Sequence, residues 1–285
     1  MARDRRDPAR AGGRGPAAGA APGAGGAGAG AAPVLETRDC GIAFGGLKAV
    51  DGFNLTLEAG ELVGLIGPNG AGKTTVFNLI TGVYEPAGEI TFRGVRLNGL
   101  KTHAITALGV ARTFQNIRLF SSLSVYDNVK SALHLHCGQS LAEVIWRGRS
   151  FREREERTRA KAEELLEIFG LTAAARERAT SLPYGMQRRL EIARALATGP
   201  TLLLLDEPAA GMNPQEKRDL MRLIEWVRER FALTILLIEH DMGVVMGICR
   251  RILVLDYGVT IAEGAPEEIR RNPKVIEAYL GEASA

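Results

Sequence analysis

The stretch ELVGLIGPNGAGKTTVFNLITG constrains the fold of this chain more than any other feature. An apolar segment, Leu62 to Ile66, runs directly into the pattern Gly-x-x-x-x-Gly-Lys-Thr at residues 67–74, and apolar residues at helical spacing follow. Glycines let such a loop curl so that backbone N–H groups converge on phosphate oxygens, with the positive end of a helix behind them. The sequence therefore predicts a strand, a phosphate-binding loop and a helix.

Phosphate chemistry suggests a role for each part of this loop. Lys73 is expected to reach the β- and γ-phosphates of a nucleotide, and the Thr74 hydroxyl is expected to bind Mg²⁺. Nucleotide binding is expected along the whole segment, namely at Gly67, Pro68, Asn69, Gly70, Ala71, Gly72, Lys73, Thr74 and Thr75. The expected cofactors are therefore a nucleotide with β- and γ-phosphates, and Mg²⁺.

A second apolar strand is predicted at LLLLDEP, and it ends in Asp206 and Glu207. Parallel sheets bind their ligands at the carboxyl ends of their strands. Asp206 is expected in the Mg²⁺ shell, usually through water. Glu207 is expected to orient or deprotonate the water that attacks the γ-phosphate. A lone acidic pair is more often a solvated strand end, so this interpretation depends on the phosphate loop upstream.

With these two motifs placed, the chain resembles the ATP-binding subunits of ABC transporters over residues 34–285. Gln115 in RTFQNIRLF matches the Q-loop of that family, AAGMNP matches its D-loop region, and His240 in LLIEHDM matches its switch histidine. Phe44 in IAFGGLKAV lies where the family stacks an aromatic ring on adenine. The resemblance implies that Gln115 and His240 act in catalysis beside Glu207, with Gln115 also a ligand of Mg²⁺.

The resemblance also implies an α/β fold: a P-loop ABC ATPase with an antiparallel β subdomain, a mostly parallel core sheet and a helical subdomain. We expect this ATP-binding domain over residues 34–285, with its helical subdomain at about residues 121–180. Residues 11–33 contain only Ala, Gly and Pro apart from Arg14. Such a segment has too little side-chain surface to offset the entropy of ordering, so residues 1–33 are predicted to be a disordered tail.

Deleting residues 2–33 is expected to leave the ATPase rate and the melting temperature nearly unchanged, because a segment without a buried face has no core contacts to lose. Thermal unfolding and steady-state phosphate release, measured on the full-length and the shortened chain, check this. A fall in melting temperature of several degrees would show that the segment packs on the folded domain.

The stretch SLPYGMQRRLEIARAL aligns with the family signature Leu-Ser-Gly-Gly-Gln as Leu182, Pro183, Tyr184, Gly185 and Met186. The register is fixed by the predicted helix that follows, whose apolar face comprises Leu190, Ala193, Leu196 and Ala197. In the family, the signature of one subunit binds ATP that the phosphate loop of another holds, so Gly185 is expected to bind nucleotide in trans. Because Pro183 replaces the family's serine, we expect a weakened but working signature.

Charge and composition limit the partners. The formal charge of +3 arises entirely within the first 33 residues, and the remainder carries 31 basic and 31 acidic side chains. No basic face, and hence no nucleic-acid partner, is predicted. The longest apolar runs fall far short of the roughly 18 to 20 residues that cross a bilayer. Three scattered cysteines, Cys40, Cys137 and Cys249, indicate neither a disulfide framework nor a zinc site and fit a cytosolic setting.

The chain has one phosphate loop and one signature, without an internal repeat, so it is expected to hydrolyse ATP only when paired with a second ABC ATPase subunit. The altered signature favours a hetero-pair over a homodimer. The resemblance implies two integral membrane permease subunits as further partners and, indirectly, a periplasmic or extracellular substrate-binding protein. It places the chain at the cytoplasmic face of the inner membrane, held there by the permeases.

Several phrases, among them YGMQRRLEIARAL, DEPAAGMNP and PEEIRRNPKVIEAYLGEA, are most similar to the ATPases of branched-chain amino-acid importers. Similar subunits serve urea or short-chain amide import and lipopolysaccharide export, and the motor does not bind the cargo, so the substrate rests on resemblance alone. A soluble ABC-type ATPase is the remote alternative. Against it, only 112 residues separate Lys73 from Gly185, too few for the long arms of repair ATPases, and translation factors of this type carry two cassettes.

Overall fold

A computed structural model describes residues 32–134 and 149–282 of the chain. The predicted tail lies outside these residues except for Ala32 and Pro33, and Cys137 lies in the gap between them. Cys40 and Cys249 are free, buried thiols. Among the helices of the described part, none is both long enough and apolar enough to cross a bilayer.

Two β-sheets form the framework. The strands, numbered along the chain, are β1 (Leu35–Phe44), β2 (Leu47–Leu57), β3 (Leu62–Ile66), β4 (Ala87–Phe92), β5 (Val95–Arg96), β6 (Val110–Arg112), β7 (Leu202–Asp206), β8 (Thr234–Ile238), β9 (Arg251–Asp256) and β10 (Val259–Gly264). The first sheet is antiparallel, in the order β2-β1-β4-β5. The second has the order β10-β9-β3-β8-β7-β6, parallel from β9 to β6 with β10 antiparallel at its edge.

Helices surround these sheets. In chain order they are α1 (Lys73–Ile80), α2 (Thr102–Leu108), α3 (Val125–Leu133), α4 (Arg149–Ile168), α5 (Tyr184–Ala197), α6 (Pro214–Arg230), α7 (Met242–Ile248), α8 (Pro266–Arg271) and α9 (Pro273–Glu282). Side chains cap several of them: Ser124 caps α3, Asp241 caps α7, and Asn213 with Glu216 forms a capping box at α6. Capping satisfies N–H groups that have no partner inside the helix.

The central sheet separates two apolar cores, and the alternation of side chains along its strands shows this directly. In β3, Leu62 and Ile66 belong to the core that contains α5 and α6, whereas Val63 and Leu65 belong to the core shared with α1 and the antiparallel sheet. Both faces are therefore covered, which explains why β3, β7 and β8 are buried throughout and mostly apolar, with Asp206 at the end of β7 and Thr234 at the start of β8 as the polar residues. The phosphate loop, Glu207 and His240 follow the carboxyl ends of β3, β7 and β8.

The predicted strand Leu62–Ile66, the helix after it and the strand ending at Asp206 are all confirmed. The predicted apolar face of the signature helix is buried in α5. Between residues 121 and 180, the described part contains α3, α4 and two short 3₁₀ turns at Thr172–Ala174 and Ala179–Ser181. The limits of the helical subdomain and of the ATP-binding domain stay predictions.

Candidate nucleotide site

Residues 67–72 join β3 to α1, and two glycines fix the course of this loop. Gly67 has φ of +148°, and a Cβ there would lie 1.9 Å from the carbonyl oxygen of Leu255. Gly72 has φ of +101°, and its Cβ would lie 2.4 Å from the carbonyl oxygen of Ala49. No side chain fits at either position, so the requirement for glycine follows from the packing of the loop on β2 and β9.

Backbone hydrogen bonds hold the outer side of the same loop. The Gly258 N–H, in the turn between β9 and β10, donates to the Ala71 carbonyl at 2.9 Å. The Gly258 carbonyl accepts from the Asp51 N–H, also at 2.9 Å. This turn therefore links the phosphate loop to β2, while its tip residue Tyr257 is 85% exposed.

Lys73 begins α1, and its ammonium lies inside the loop. Nζ donates to the carbonyl oxygens of Gly67, at 2.6 Å, and Pro68, at 2.8 Å, and the side chain is buried. α1 starts after Gly72 without a side-chain cap, which leaves the positive end of the helix open to an anion. Thr74 is exposed at this same end. A cation, a helix start and a hydroxyl thus lie together, as phosphate and Mg²⁺ binding require.

Asp206, the last residue of β7, is only 2% exposed. Its Oδ2 accepts a hydrogen bond from Arg112 Nη2 at 2.9 Å, and its N–H donates to Thr113 Oγ1 at 3.2 Å. Burial raises the pKa of this carboxyl, and Arg112 opposes that shift. The remaining oxygen, Oδ1, is buried and accepts no hydrogen bond from the described residues. A buried carboxylate oxygen without a partner fits Mg²⁺ or a water bound to it.

Glu207 is in contact with both other residues predicted to be catalytic. Gln115 Nε2 donates to Glu207 Oε2 at 2.9 Å, and His240 Nδ1 lies 3.6 Å from the same oxygen. The three residues follow β6, β7 and β8, which are neighbours in the sheet. Glu207 has φ of +46°, a costly conformation for a residue with a side chain, and its N–H donates to the Ile238 carbonyl. The structure therefore holds this carboxylate at the edge where parallel sheets bind ligands.

Phe44, at the end of β1, is 45% exposed and therefore free to stack on a flat ligand. Its ring meets that of Tyr84 edge to face, with centroids 5.1 Å apart. Tyr84 was not predicted from the sequence, since a single aromatic residue in a turn is most often packing.

Gly185 lies in the first turn of α5, immediately after the exposed residues Pro183 and Tyr184. The atoms that a Cβ on Gly185 would meet within 4 Å belong to Glu216, with Oε1 nearest at 3.3 Å. Thus its structural neighbour is the start of α6 rather than the phosphate loop of the same chain. This position suits a residue that acts on a nucleotide held elsewhere.

A family model described as ABC transporter matches residues 50–210, which is more than half of the chain and includes the phosphate loop, Asp206 and the signature. The chain belongs to the ABC transporter family. A second model, described as branched-chain amino acid ATP-binding cassette transporter, matches residues 259–285.

Curated relatives of this ABC transporter chain align over nearly their whole length. The high-affinity branched-chain amino acid transport ATP-binding protein BraF of Pseudomonas aeruginosa is 48% identical over 88% of this chain and 99% of its own length. The protein of the same description in Escherichia coli, LivG, is 49% identical with the same coverage. The lipopolysaccharide export system ATP-binding protein LptB of Escherichia coli is 36% identical over 87% of this chain and 97% of its own.

Solved structures agree with the ABC transporter fold. The ADP conformation of an ATP-binding cassette of an ABC transporter superposes with a TM-score of 0.75 and 30% identity, over 88% of this chain and 99% of that one. A dimeric ATP-binding cassette in a post-hydrolysis state, bound to ADP and phosphate, gives a TM-score of 0.69 and 25% identity, over 81% and 98%. The predicted fold class, nucleotide binding and ATP hydrolase activity are thereby confirmed, whereas the roles of individual residues stay predictions.

Sequence reasoning missed four charged residues with buried side chains around the site of this ABC transporter ATPase: Arg112, Arg188, Glu191 and Glu239. Glu239 precedes the predicted switch histidine, and its Oε1 accepts from the Ala209 N–H in the predicted D-loop at 2.7 Å. Burial raises the pKa of the Glu239 carboxyl. One sequence feature could have revealed the pair Arg188 and Glu191, because opposite charges three residues apart lie on one side of a helix.

Proposed function

We propose that this chain is the ATP-hydrolysing subunit of an importer for branched-chain amino acids. The alignment with BraF, 48% identical over 99% of that protein, is the observation that supports the proposal. The match of residues 259–285 to a branched-chain amino acid transporter model supports it independently. The lower identity of 36% to LptB makes lipopolysaccharide export the second candidate.

In this proposal, ATP binds with its adenine on Phe44 and its phosphates along residues 67–75, and Lys73 faces the β- and γ-phosphates. Thr74, Gln115 and Asp206 hold Mg²⁺, directly or through water. When bound, Mg²⁺ neutralises charge on the phosphates and fixes their geometry. The buried Oδ1 atom of Asp206, which accepts no hydrogen bond from the described residues, supports this assignment, because an ion or an ordered water would supply the missing partner.

Glu207 then aligns the attacking water. Its carboxylate accepts a hydrogen bond from the water and takes up the proton that the water loses. The water oxygen bonds to the γ-phosphorus while the bond from that phosphorus to the β–γ bridging oxygen breaks, so that ADP and phosphate are the products. Gln115 and His240 approach the same carboxylate oxygen, so they restrict its orientation before the water arrives. This positioning lowers the barrier because less reordering is needed in the transition state.

The active assembly in this proposal contains two ATPase subunits, with Gly185 facing the ATP held by the other subunit. The dimeric solved relative with ADP and phosphate supports pairing, and the altered signature favours a second, different ATPase subunit. Two membrane permeases anchor the pair at the cytoplasmic face of the inner membrane, and a substrate-binding protein delivers cargo on the opposite side.

Reconstituting the chain with the permeases and the second ATPase encoded beside it, in vesicles, tests this function. The purified binding protein loaded with leucine should stimulate ATP hydrolysis and drive leucine uptake, whereas urea or a short amide should do neither. A complex carrying Glu207→Gln, which should not hydrolyse ATP, is the negative control and should not take up leucine. If lipopolysaccharide stimulates ATP hydrolysis and the loaded binding protein does not, the proposal of amino-acid import is wrong and lipopolysaccharide export takes its place.

Pro183→Ser and Gly185→Asp test the signature. The chain alone should hydrolyse ATP slowly and the second subunit should stimulate it, while Pro183→Ser should raise the rate or leave it unchanged. Adding the serine restores a hydrogen bond to phosphate, which is worth roughly 1.5 to 3 kcal/mol. Gly185→Asp should lower the rate strongly, because like charges placed together cost several kcal/mol and Glu216 is adjacent as well.

Steady-state phosphate release for each pairing provides the measurement. Unchanged activity of Gly185→Asp in every pairing would mean that position 185 faces no productive ATP. Equal activity of the chain alone and of the mixed pair would favour a homodimer.

A further inference from the structure

One arginine connects the first turn of α5 with the Q-loop. Arg188 is fully buried, and the acceptors that its terminal nitrogens contact lie in α5 and in the Q-loop. Nη1 donates to the Phe114 carbonyl at 2.6 Å and to Glu191 Oε2 at 2.8 Å. Nη2 donates to the Gln115 carbonyl at 2.7 Å and to the Tyr184 hydroxyl at 3.0 Å. The guanidinium thus fixes the Q-loop backbone and the signature to each other.

Glu191 strengthens this attachment from the same helix. Its Oε1 lies 3.3 Å from both the Phe114 and the Arg118 N–H groups, which donate to it. α5 therefore supplies donors to the carbonyls of the Q-loop and an acceptor to its N–H groups. A shift of the Q-loop backbone independent of α5 would break these hydrogen bonds and leave buried charged groups without partners, which is costly.

Tyr184 occupies the solvent-facing end of this network, next to Gly185. Its side chain is 44% exposed, and the Arg188 guanidinium lies 5.7 Å from its ring centroid. The ring also packs against the D-loop, since a Cβ on Gly211 would be 3.3 Å from Tyr184 Cε1. The Tyr184 side chain therefore links the signature to the D-loop directly and to the Q-loop through Arg188, which a glycine at position 184 would not do.

We infer that Tyr184 is a positioning residue, whose hydroxyl holds Arg188 so that Gln115 stays aligned on Glu207. The inference rests on the proposed function for the roles of Gly185 and Glu207. In this role Tyr184 couples the signature, which faces ATP held by the second subunit, to the catalytic carboxylate of this chain's own site.

The contacts form a continuous series. Tyr184 bonds to Arg188, Arg188 bonds to the Gln115 carbonyl, and the Gln115 amide bonds to Glu207 at 2.9 Å. We therefore expect a displacement of the first turn of α5 to break the Tyr184 hydrogen bond or to move Gln115, because the same nitrogen of the buried Arg188 is bonded to both residues. Weakening the phenol contact should misalign Gln115 without touching the phosphate loop.

Tyr184→Phe, assayed in the complete complex, tests this coupling. It deletes the hydroxyl and keeps the ring on Gly211, so kcat should fall about 5- to 10-fold, the size of one lost hydrogen bond, while KM for ATP changes less than twofold. Tyr126→Phe is the matched control, since that ring lies against Lys130 on α3; its kcat should not change. Melting temperatures of both variants verify that they are folded.

A double-mutant cycle with Gln115→Ala identifies the route. If Tyr184 acts through Gln115, Tyr184→Phe should have no further effect on kcat once Gln115 is truncated, because coupled residues are not additive. The inference is overturned if the losses in kcat of the two single variants multiply in the double variant, or if Tyr184→Phe has a normal kcat. Neither result would contradict the proposed ATPase function. An inactive wild-type complex would contradict the proposed function itself.

Discussion

Glu207→Gln is expected to stop ATP turnover and to leave ATP binding intact. The amide keeps the shape of the side chain but cannot take up the proton of the attacking water, and a general base contributes about 100- to 10,000-fold to a rate. Gln115 and His240 would still lie beside residue 207, so the nucleotide should be held as in the wild type. We expect kcat to fall at least 100-fold, with the Kd for ATP changed less than threefold.

Phosphate release and equilibrium binding of labelled ATP measure the two effects separately. Glu229→Gln, the same substitution at an exposed position on α6, is the matched control and should hydrolyse ATP normally. Because bound ATP is no longer consumed, Glu207→Gln should also accumulate the ATP-bound pair of subunits in gel filtration. Hydrolysis by Glu207→Gln at the wild-type rate would require a different base.

Lys73→Ala is expected to remove most ATP binding. The ammonium already lies inside the phosphate loop, bonded to the Gly67 and Pro68 carbonyls, so it meets the phosphates without a large rearrangement. A charged hydrogen bond of this kind contributes about 1.5 to 3 kcal/mol, which corresponds to a loss of roughly 10- to 150-fold in affinity.

Equilibrium ATP binding and the melting temperature, with and without nucleotide, check this prediction. Lys161→Ala removes the same side chain from an exposed position on α4 and should bind ATP normally. The melting temperature without nucleotide separates a lost phosphate contact from a damaged loop. Wild-type affinity in a folded Lys73→Ala chain would contradict the role given to this residue.

Motifs that are local in sequence could be predicted well. The strand at Leu62–Ile66 and the strand that ends at Asp206 lie where the apolar runs indicated, because strands covered on both faces leave a continuous apolar pattern. The meeting of Gln115, Glu207 and His240 needed the family resemblance, since they are far apart in the chain and come together only through the strand order.

The burial of Arg112 and Arg188 could not be predicted, because acceptors that compensate it lie far away in the sequence. Arg188 donates to carbonyls 73 and 74 residues upstream, and Arg112 pairs with Asp206, 94 residues away. Hydropathy alone assigns such residues to the surface, where charged side chains usually lie. Only the positions of the acceptors reveal that the desolvation of these cations is compensated.

Tyr184 illustrates the same limit. The sequence shows only that tyrosine stands at this position, where the family signature has glycine. In the structure its hydroxyl and its ring make contacts with Arg188 and Gly211 that a glycine cannot make. A substitution within a motif can therefore add an interaction, and only the tertiary structure shows which.

The turn that links the phosphate loop to β2 has a consequence for how the sequence can diverge. The hydrogen bond from Gly258 to Ala71 joins backbone atoms, so it does not depend on the exposed side chain of Tyr257. Position 257 itself has φ of +42°, which disfavours proline and β-branched residues but accepts many others. At position 258, by contrast, an added methyl group would lie 2.8 Å from the Ala49 carbonyl oxygen, at a backbone φ of +81°. We therefore expect related chains to exchange the side chain at the tip of this hairpin, within the residue types that its backbone accepts, and to keep glycine one residue later.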